Sequence, residues 1–510
     1  MQEIRSLLEE QFKKIVIQIL DLDQNKILRP YKVLGESFVE GLNTHLEIAA
    51  ETAIQYVPLN LLRKWWKEQN YEPTDLGDKE KERMAKFSFY VLSNKLVFYY
   101  VLKRTFTSLP EINVDGINDI TTLKNIIDES FKRAQIESND FETVFEKSDA
   151  DIIPFINEKL LYPVLSLIKF LQLYNFSNLS QDILGNLYDR LISPSERHEN
   201  GQYYTPIPVV DLINALTIRD ANARVLDPAC GSGTFLTRAF DLKLKLKGID
   251  SKEIREKMIE EIFGVDIASY PAHLATIALA SKLMFPNPDI YPRIIRQDFL
   301  DVKFKEIIPV YRPKSNTLNS RVMVFDFKPI DAVVSNLPYI KDDAITDKEK
   351  EREKVKLMLV NSKFNSETPS EGSDFHLYFW YYIIPFLKTR SRVGFLTSDT
   401  WLNVGYGDEL KRFINKYFKI IAIIDSSVER WFEGALVNTV ITILERTNDE
   451  EAIKNNEIKF VRINKTISEL VPNIDTALKV AKNILESKSD NNINIVRQIK
   501  QSEIIQEDLL

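Results

Sequence analysis

Two kinds of apolar spacing divide the chain. Over roughly the first 180 residues, apolar side chains recur at three- and four-residue intervals, as in Phe87, Tyr90, Val91, Phe98 and Val101. That is the spacing of one helix face. Glycine is scarce there and Leu, Ile, Glu and Lys abound, so residues 1–180 are predicted to form a bundle of amphipathic helices, with the aromatic stripe as core packing. The stretch Leu109 to Asp151 is rich in Asp, Asn and Glu and predicts long connections. No internal repeat is present.

From about Ala221 short β-rich runs alternate with helical stretches. The runs are Arg224-Val-Leu-Asp, Ile262-Phe-Gly-Val-Asp-Ile, Ile294-Ile-Arg-Gln-Asp-Phe, Asp331-Ala-Val-Val-Ser-Asn, Arg392-Val-Gly-Phe-Leu-Thr, Ile420-Ile-Ala-Ile-Ile-Asp and Val437-Asn-Thr-Val-Ile-Thr-Ile-Leu. Runs this short and this continuously apolar suit strands covered on both faces, as in a doubly wound α/β sheet. The polar, charge-dense segment Lys341 to Ser373 is predicted to be a long loop or helical insertion beside the active edge. After Lys465 the pattern is helical and polar again. The expected organisation is therefore a helical domain over 1–180, an α/β domain over 181–465 and a helical tail over 466–510, although length alone suggests about three full domains.

Composition narrows the classes of function. With 44% hydrophobic and 28% charged residues, the chain can build sizeable cores. The net charge of −7 is uneven: residues 1–200 hold 24 basic and 31 acidic side chains, while residues 201–510 hold 43 of each. A nucleic-acid surface, if there is one, is thus a local patch. The single cysteine, Cys230, excludes a disulfide framework and a Cys-rich zinc site. His45, His198, His273 and His376 include no pair at metal-ligand spacing, and no metal is expected. The N-terminus is acidic where a signal peptide would be basic. The most apolar stretch, Phe87 to Leu102, is broken by Ser93, Asn94 and Lys95. A cytoplasmic location with no membrane partner is expected.

The strongest local signal is Val225-Leu-Asp-Pro-Ala-Cys-Gly-Ser-Gly-Thr-Phe-Leu. A strand ends at Asp227, a loop carries Gly231 and Gly233, and a helix opens near Thr234. The glycines let backbone approach a ligand closely. The spacing is not Gly-x-Gly-x-x-Gly and there is no Walker lysine. An acid ahead of the glycines suits an amine-bearing ligand better than a pyrophosphate. Asp266, at the next strand end, can take both hydroxyls of a ribose. Asp298 follows a third strand and can accept from an adenine amine beside Phe299. Three acids on one edge favour an adenosine site. The run ending Ser335-Asn-Leu-Pro-Tyr adds Asn336, whose side-chain oxygen can accept one hydrogen of a conjugated amine while a backbone carbonyl accepts the other. Such placed acceptors draw the nitrogen toward a nucleophilic state. Pro338 stiffens the loop, and Tyr339 offers a stacking face.

With these residues the chain resembles an amino-group DNA methyltransferase of the N6-adenine kind. Asp227-Pro-Ala-Cys-Gly-Ser-Gly resembles the family's cofactor motif, Asn336-Leu-Pro-Tyr339 its catalytic Asn-Pro-Pro-Tyr motif, and Gly201-Gln-Tyr-Tyr-Thr-Pro206 its Gly-Gln-x-Tyr-Thr-Pro segment. The motif order resembles the gamma arrangement, and the resemblance covers about residues 180–450. It implies a Rossmann-like, seven-stranded, mostly parallel sheet preceded by an α-helical domain, with S-adenosylmethionine as cofactor. Carried over residue by residue, it implies that Tyr204, Thr205, Asp227, Ala229, Gly231, Gly233, Thr234, Phe235, Asp266, Ile267, Asp298, Phe299 and Asn336 line the cofactor site. Asn336, Leu337, Pro338 and Tyr339 would be catalytic, and Phe432, in Arg430-Trp-Phe-Glu-Gly, would stack on a flipped adenine.

Leu337 departs from the pattern by replacing its first Pro, yet it keeps the main-chain carbonyl. Cys230 is read as a packing residue. The implied partners are double-stranded DNA, a specificity subunit or a missing C-terminal target-recognition domain, and a restriction subunit, because only about sixty residues follow Arg446. The helical domain ahead of the catalytic one resembles type I modification subunits and type IIG enzymes. Two other readings stay open here: an RNA or protein-amide methyltransferase, and a catalytically silent DNA-binding subunit.

Overall fold

The computed structural model describes residues 30–68, 76–138, 145, 147, 149–174 and 205–503, apart from 268, 281, 284–289, 291, 310–321, 328, 343, 344, 346, 366, 367, 404, 432–437, 490 and 491. The first part is helical, as its spacing requires: α1 (Pro30–Ala53), α2 (Leu59–Glu68), α3 (Asp78–Thr105), α4 (Ile120–Ser138) and α5 (Leu161–Gln172). Tyr90 and Phe98 of α3 lie in the core with Leu42, Leu46, Leu123 and Leu167, and Phe87 packs against it. The stretch expected to be long connections contains α4. Its Ile120, Leu123, Ile127, Phe131 and Ala134 are buried at helical spacing, which the charged outer face had masked. No helix among the described residues is long and apolar enough to cross a membrane.

The second part opens with α6 (Ile207–Thr217) and then alternates strand and helix: β1 (Val225–Asp227), α7 (Thr234–Lys247), α8 (Lys252–Glu260), β2 (Ile262–Asp266), α9 (Ser269–Ala280) and β3 (Arg293–Arg296). A separate antiparallel hairpin, β4 (Lys305–Pro309) with β5 (Val322–Asp326), precedes β6 (Ile330–Asn336). The segment 341–373 is a helical insertion, α10 (Lys348–Asn361), followed by α11 (His376–Tyr382), β7 (Leu387–Ser398), α12 (Gly407–Tyr417), β8 (Phe418–Ser426), β9 (Thr439–Arg446) and β10 (Glu457–Ile463). The chain closes with α13 (Ile474–Leu485) and β11 (Ile493–Lys500).

The main sheet has the order β11-β10-β8-β9-β7-β6-β1-β2-β3. Pairing is parallel from β3 through β2, β1 and β6 to β7, and again between β8 and β10, with β9 antiparallel between β7 and β8. All seven β-rich runs read from the sequence are strands of it, and the seven-stranded expectation is corrected to nine strands among the described residues. The two extra strands, β10 and β11, form one edge. β11 is the outermost strand and β10 lies between it and β8, and both carry several exposed or half-buried positions, so a search for continuous apolar runs passes over them.

The expected helical tail is likewise corrected: residues after 465 supply α13 and the outermost strand. Ala477, Val480, Ala481 and Ile484 of α13 share a core with Leu212, Ile213 and Leu216 of α6. Gln501 fastens this end. Fully buried, it accepts from the Ile420 N–H (3.1 Å) and Asn456 Nδ2 (3.0 Å) and donates to Asn415 Oδ1 (2.9 Å) and the Phe418 carbonyl (3.0 Å). The Ile420 N–H needs this acceptor because the β8–β9 ladder shifts register between Ile420 and Ala422. A buried polar group left without its partner costs about 1–3 kcal/mol. Gln501→Leu should therefore lower unfolding free energy by roughly 2–4 kcal/mol in denaturant titration, whereas a change within about 0.5 kcal/mol would show the tail to be dispensable to the sheet.

Candidate active site

Parallel strands deliver their loops to a single edge, and the candidate residues converge there. Asp227 ends β1, Asp266 ends β2, Asp298 follows β3, and Asn336 ends β6, the neighbour of β1 on its other side. The loop after β1 folds as its glycines demand. Gly231 has φ +51°, with open space where a side chain would stand. Gly233 has φ +87°, and a Cβ there would lie 2.9 Å from the Ala275 Cα of α9. The Cys230 N–H donates to the Val265 carbonyl at 2.9 Å and the Gly233 N–H to the Cys230 carbonyl at 2.8 Å. Cys230 is buried and burial pushes its thiol well up, in keeping with a packing role.

Asp266 binds this loop directly, its Oδ2 accepting from the Gly231 N–H at 2.9 Å. Asp227 is almost fully buried. Its Oδ1 accepts from the Ala229 N–H at 3.1 Å and from Ser335 Oγ at 2.7 Å. Burial raises its pKa to about 7, against the lowering effect of those hydrogen bonds, and the nearby Asp266 charge adds to the rise. Ser335, the residue before Asn336, thus joins the two motifs. Sequence reasoning passed over it, although a polar side chain in the otherwise apolar run Asp331-Ala-Val-Val-Ser was the available signal.

Asp298 caps a helical turn, its Oδ1 accepting from the Leu300 N–H at 3.0 Å while its Oδ2 takes Lys354 Nζ of α10 at 2.8 Å. Ile267 is exposed beside Asp266, Thr234 opens α7, and Ala229 is half-buried. The rings of Phe235 and Phe299, expected at the cofactor, are in the core. Phe235 packs with Val225 and Leu212, and Phe299 stacks on Phe379 at 5.8 Å. Tyr204, with the rest of 201–204, and Phe432 lie outside the described residues. Thr205 is buried just ahead of α6. That helix is tied to the cofactor-loop helix by the Arg238 guanidinium on Asp211, Nε–Oδ1 and Nη2–Oδ2 both 2.7 Å, and by Asn214 Nδ2 on the Phe235 carbonyl at 3.1 Å.

The catalytic-motif loop leaves β6 in register with β7, Asn336 opposite Leu396. The Leu337 N–H donates to the Leu396 carbonyl at 3.2 Å and the Leu337 side chain is fully buried in the central core. This accounts for the departure from the Pro pattern: the position carries one more ladder bond and fills core volume. Tyr339 packs against the cluster of α6 and β6 residues, and the Ile340 carbonyl accepts from the Phe375 N–H at 2.9 Å. A glycine cradle open at Gly231, acids at three successive strand ends and an Asn at the fourth form a donor and acceptor set that fits an adenosine-bearing, amine-bearing cofactor beside an amine substrate.

Residues 179–507 match the family model described as N-6 DNA Methylase. Among curated relatives, the chain is 35% identical over 91 residues to the type I restriction enzyme MjaVII methylase subunit of Methanocaldococcus jannaschii, spanning 18% of this chain and 16% of that protein. It is 25% identical over 230 residues to the type I restriction enzyme EcoEI methylase subunit of Escherichia coli, spanning 44% and 40%. These matches span less than half of either relative's length. The fold is similar to that of the type I restriction-modification system methyltransferase subunit from Streptococcus thermophilus, with a TM-score of 0.51 at 14% identity over 92% of this chain and 98% of that one.

Two outcomes follow for the site. Leu337→Pro removes a ladder donor and a buried side chain, so it should destabilise the fold by about 2–4 kcal/mol in denaturant titration; an unchanged or raised stability would refute the packing account. For Asp227, the unfolded carboxyl titrates near 3.8 and the folded one near 7. As pH rises across that window the unfolded state releases its proton first, so the stabilising contribution present at low pH is lost by about pH 7. The stability of Asp227→Asn relative to wild type should rise by about 4 kcal/mol from pH 4 to pH 8. A difference that stays flat over that range would contradict the burial assigned to this carboxyl.

Proposed function

Because the chain belongs to the N-6 DNA methylase family, we propose that it moves a methyl group from S-adenosylmethionine to N6 of adenine in double-stranded DNA, as the modifying component of a restriction–modification system. The observation that carries this reading is the 2.7 Å bond from Ser335 to Asp227, which couples the cofactor-motif acid to the residue before Asn336 across the β1–β6 pair.

When bound, the cofactor supplies an electrophilic methyl group on a sulfonium sulfur. The chain's own residues do the rest. Asp227, at the loop that opens with Pro228, faces the cofactor's ammonium end, and a cation there favours its ionised form. Asp266 holds the ribose hydroxyls and Asp298 accepts from the adenine amine of the cofactor. Ile267 covers that ring, and the backbone at Gly231 and Gly233 leaves room for the methionine portion.

Target adenine sits inside the duplex stack and must be flipped out to be reached. Asn336 Oδ1 accepts one hydrogen of its amine and the Leu337 carbonyl accepts the other, concentrating the nitrogen lone pair on the side of the donor. Tyr339 and Phe432 clamp the ring. The proton leaves the methylated nitrogen to solvent. Leu337 is compatible with this role because its carbonyl, the part the chemistry uses, is independent of the side chain that the core takes up. Double-stranded DNA is one partner, and a specificity subunit or target-recognition domain, together with a restriction subunit, is proposed by analogy with the type I methylase subunits.

The test is transfer of labelled methyl groups to unmodified DNA by the full chain with the subunits that co-purify with it. Wild type should label adenine N6. Asn336→Ala should label it about 100-fold or more slowly while binding S-adenosylmethionine within about threefold of wild type. Equal labelling by the two proteins would remove Asn336 from the chemistry, and label directed to RNA or to protein amides would replace the substrate.

A further inference from the structure

The helical insertion α10 crosses the active edge. It leaves the catalytic loop at the end of β6, yet its apolar face, Val355, Met358 and Leu359, packs into the same core as Phe299, Leu300 and Val302, the turn that follows β3. In the sheet β6 and β3 are separated by β1 and β2, so the insertion joins the catalytic strand to the far end of the adenosine crevice. The polar link at that end is Lys354. Its Nζ lies 2.8 Å from Asp298 Oδ2, 3.0 Å from Asp301 Oδ2 and 3.0 Å from Glu351 Oε1, with the lysine side chain only 14% exposed.

We propose that Lys354 is a positioning residue for recognition of the cofactor's adenine, holding the Asp298 carboxylate in the orientation that accepts from the exocyclic amine. This rests on the methyltransferase reading above. Geometry carries it. Asp298 Oδ1 is held by the Leu300 N–H and Oδ2 by Lys354, so both torsions of the side chain are set. A carboxylate oxygen has two acceptor sites, so neither bond exhausts its capacity for a ligand donor. Ordinary surface ion pairs add little because solvent screens them and mobile side chains lose entropy on pairing. Lys354 differs in being mostly buried and shared by three acids.

The same cation also offsets the repulsion that would otherwise turn Asp298 away from Asp301 and Glu351. Burial and those neighbours raise the pKa of Glu351, whereas the three acids raise that of Lys354 and keep it charged. A fixed acceptor at this point discriminates by chemistry: adenine presents a donor at C6, and a 6-oxo purine presents an acceptor that the carboxylate repels.

The experiment compares binding of S-adenosylhomocysteine with its 6-oxo counterpart, S-inosylhomocysteine, by calorimetry on the full chain. Wild type should prefer the adenine ligand by about 100-fold or more. Lys354→Met should cut that ratio about tenfold, chiefly by weakening the adenine ligand, and Lys354→Arg should keep most of it. Should the Met variant fail to fold, Lys354→Gln, which keeps a polar end, should show the same loss of ratio. Equal weakening of both ligands, with the ratio unchanged, would make Lys354 a fold residue only and overturn the proposal. Binding of neither ligand by wild type would overturn the methyltransferase reading and this one together; strong binding of both without preference would overturn this one alone.

Discussion

The parallel pairing of β1 with β6, Val225 opposite Ala332 and Leu226 opposite Val333, is the constraint on which the site depends. Parallel neighbours release their loops at the same edge, which brings the glycine loop and the Asn336 loop together although more than a hundred residues separate them in sequence. Parallel pairing also requires a long crossover. Here the crossover supplies β2, β3 and the helices over them, so the geometry that joins the two loops also delivers Asp266 and Asp298. The bond between Ser335 and Asp227 lies across this seam. It is buried and short, so a shift of one strand against the other would leave a carboxylate without its donor, at a cost of kilocalories.

Charge shows the same economy. The overall −7 resides in the first 200 residues, and the α/β part is neutral as a whole while locally strained. Three acids crowd one edge, and Asp227 is held near 7 by burial. Of the others, Asp266 is held by the Gly231 N–H and Asp298 by Lys354, which also meets Asp301 and Glu351. Net charge says little about such a site, because what acts on each group is the handful of charges within a few ångströms and the water removed around it.

The motifs were legible because a tight glycine turn at a strand end demands particular residue types at particular spacings. Asp227, Gly231, Gly233, Asp266 and Asn336 could each be named from the chain and each lies at the edge. Seven strands of the sheet were legible for a related reason: strands covered on both faces read as nearly continuous apolar runs. The outermost strand β11 and its neighbour β10 were not, since exposed positions interrupt their runs. Nor was α4, whose charged outer face diluted its stripe. That the rings of Phe235 and Phe299 sit in the core was not legible, because an aromatic next to a motif residue can point either into the core or into the crevice, and only neighbouring elements decide which.

By itself the sequence determined the residue types at the edge, their order, and the alternation that makes a parallel sheet. Tertiary structure alone decided which groups stand around those residues. Ser335 reaches Asp227 only through strand pairing, and Leu337 makes sense in place of Pro only once its side chain is seen in the core. Lys354 sits in a run of charges that any exposed helix could have, and acquires meaning from Asp298, more than fifty residues away. The physical reason is range. Backbone conformation and motif spacing are set by near neighbours in the chain, whereas burial and electrostatics depend on neighbours in space, which pairing and packing must first bring together.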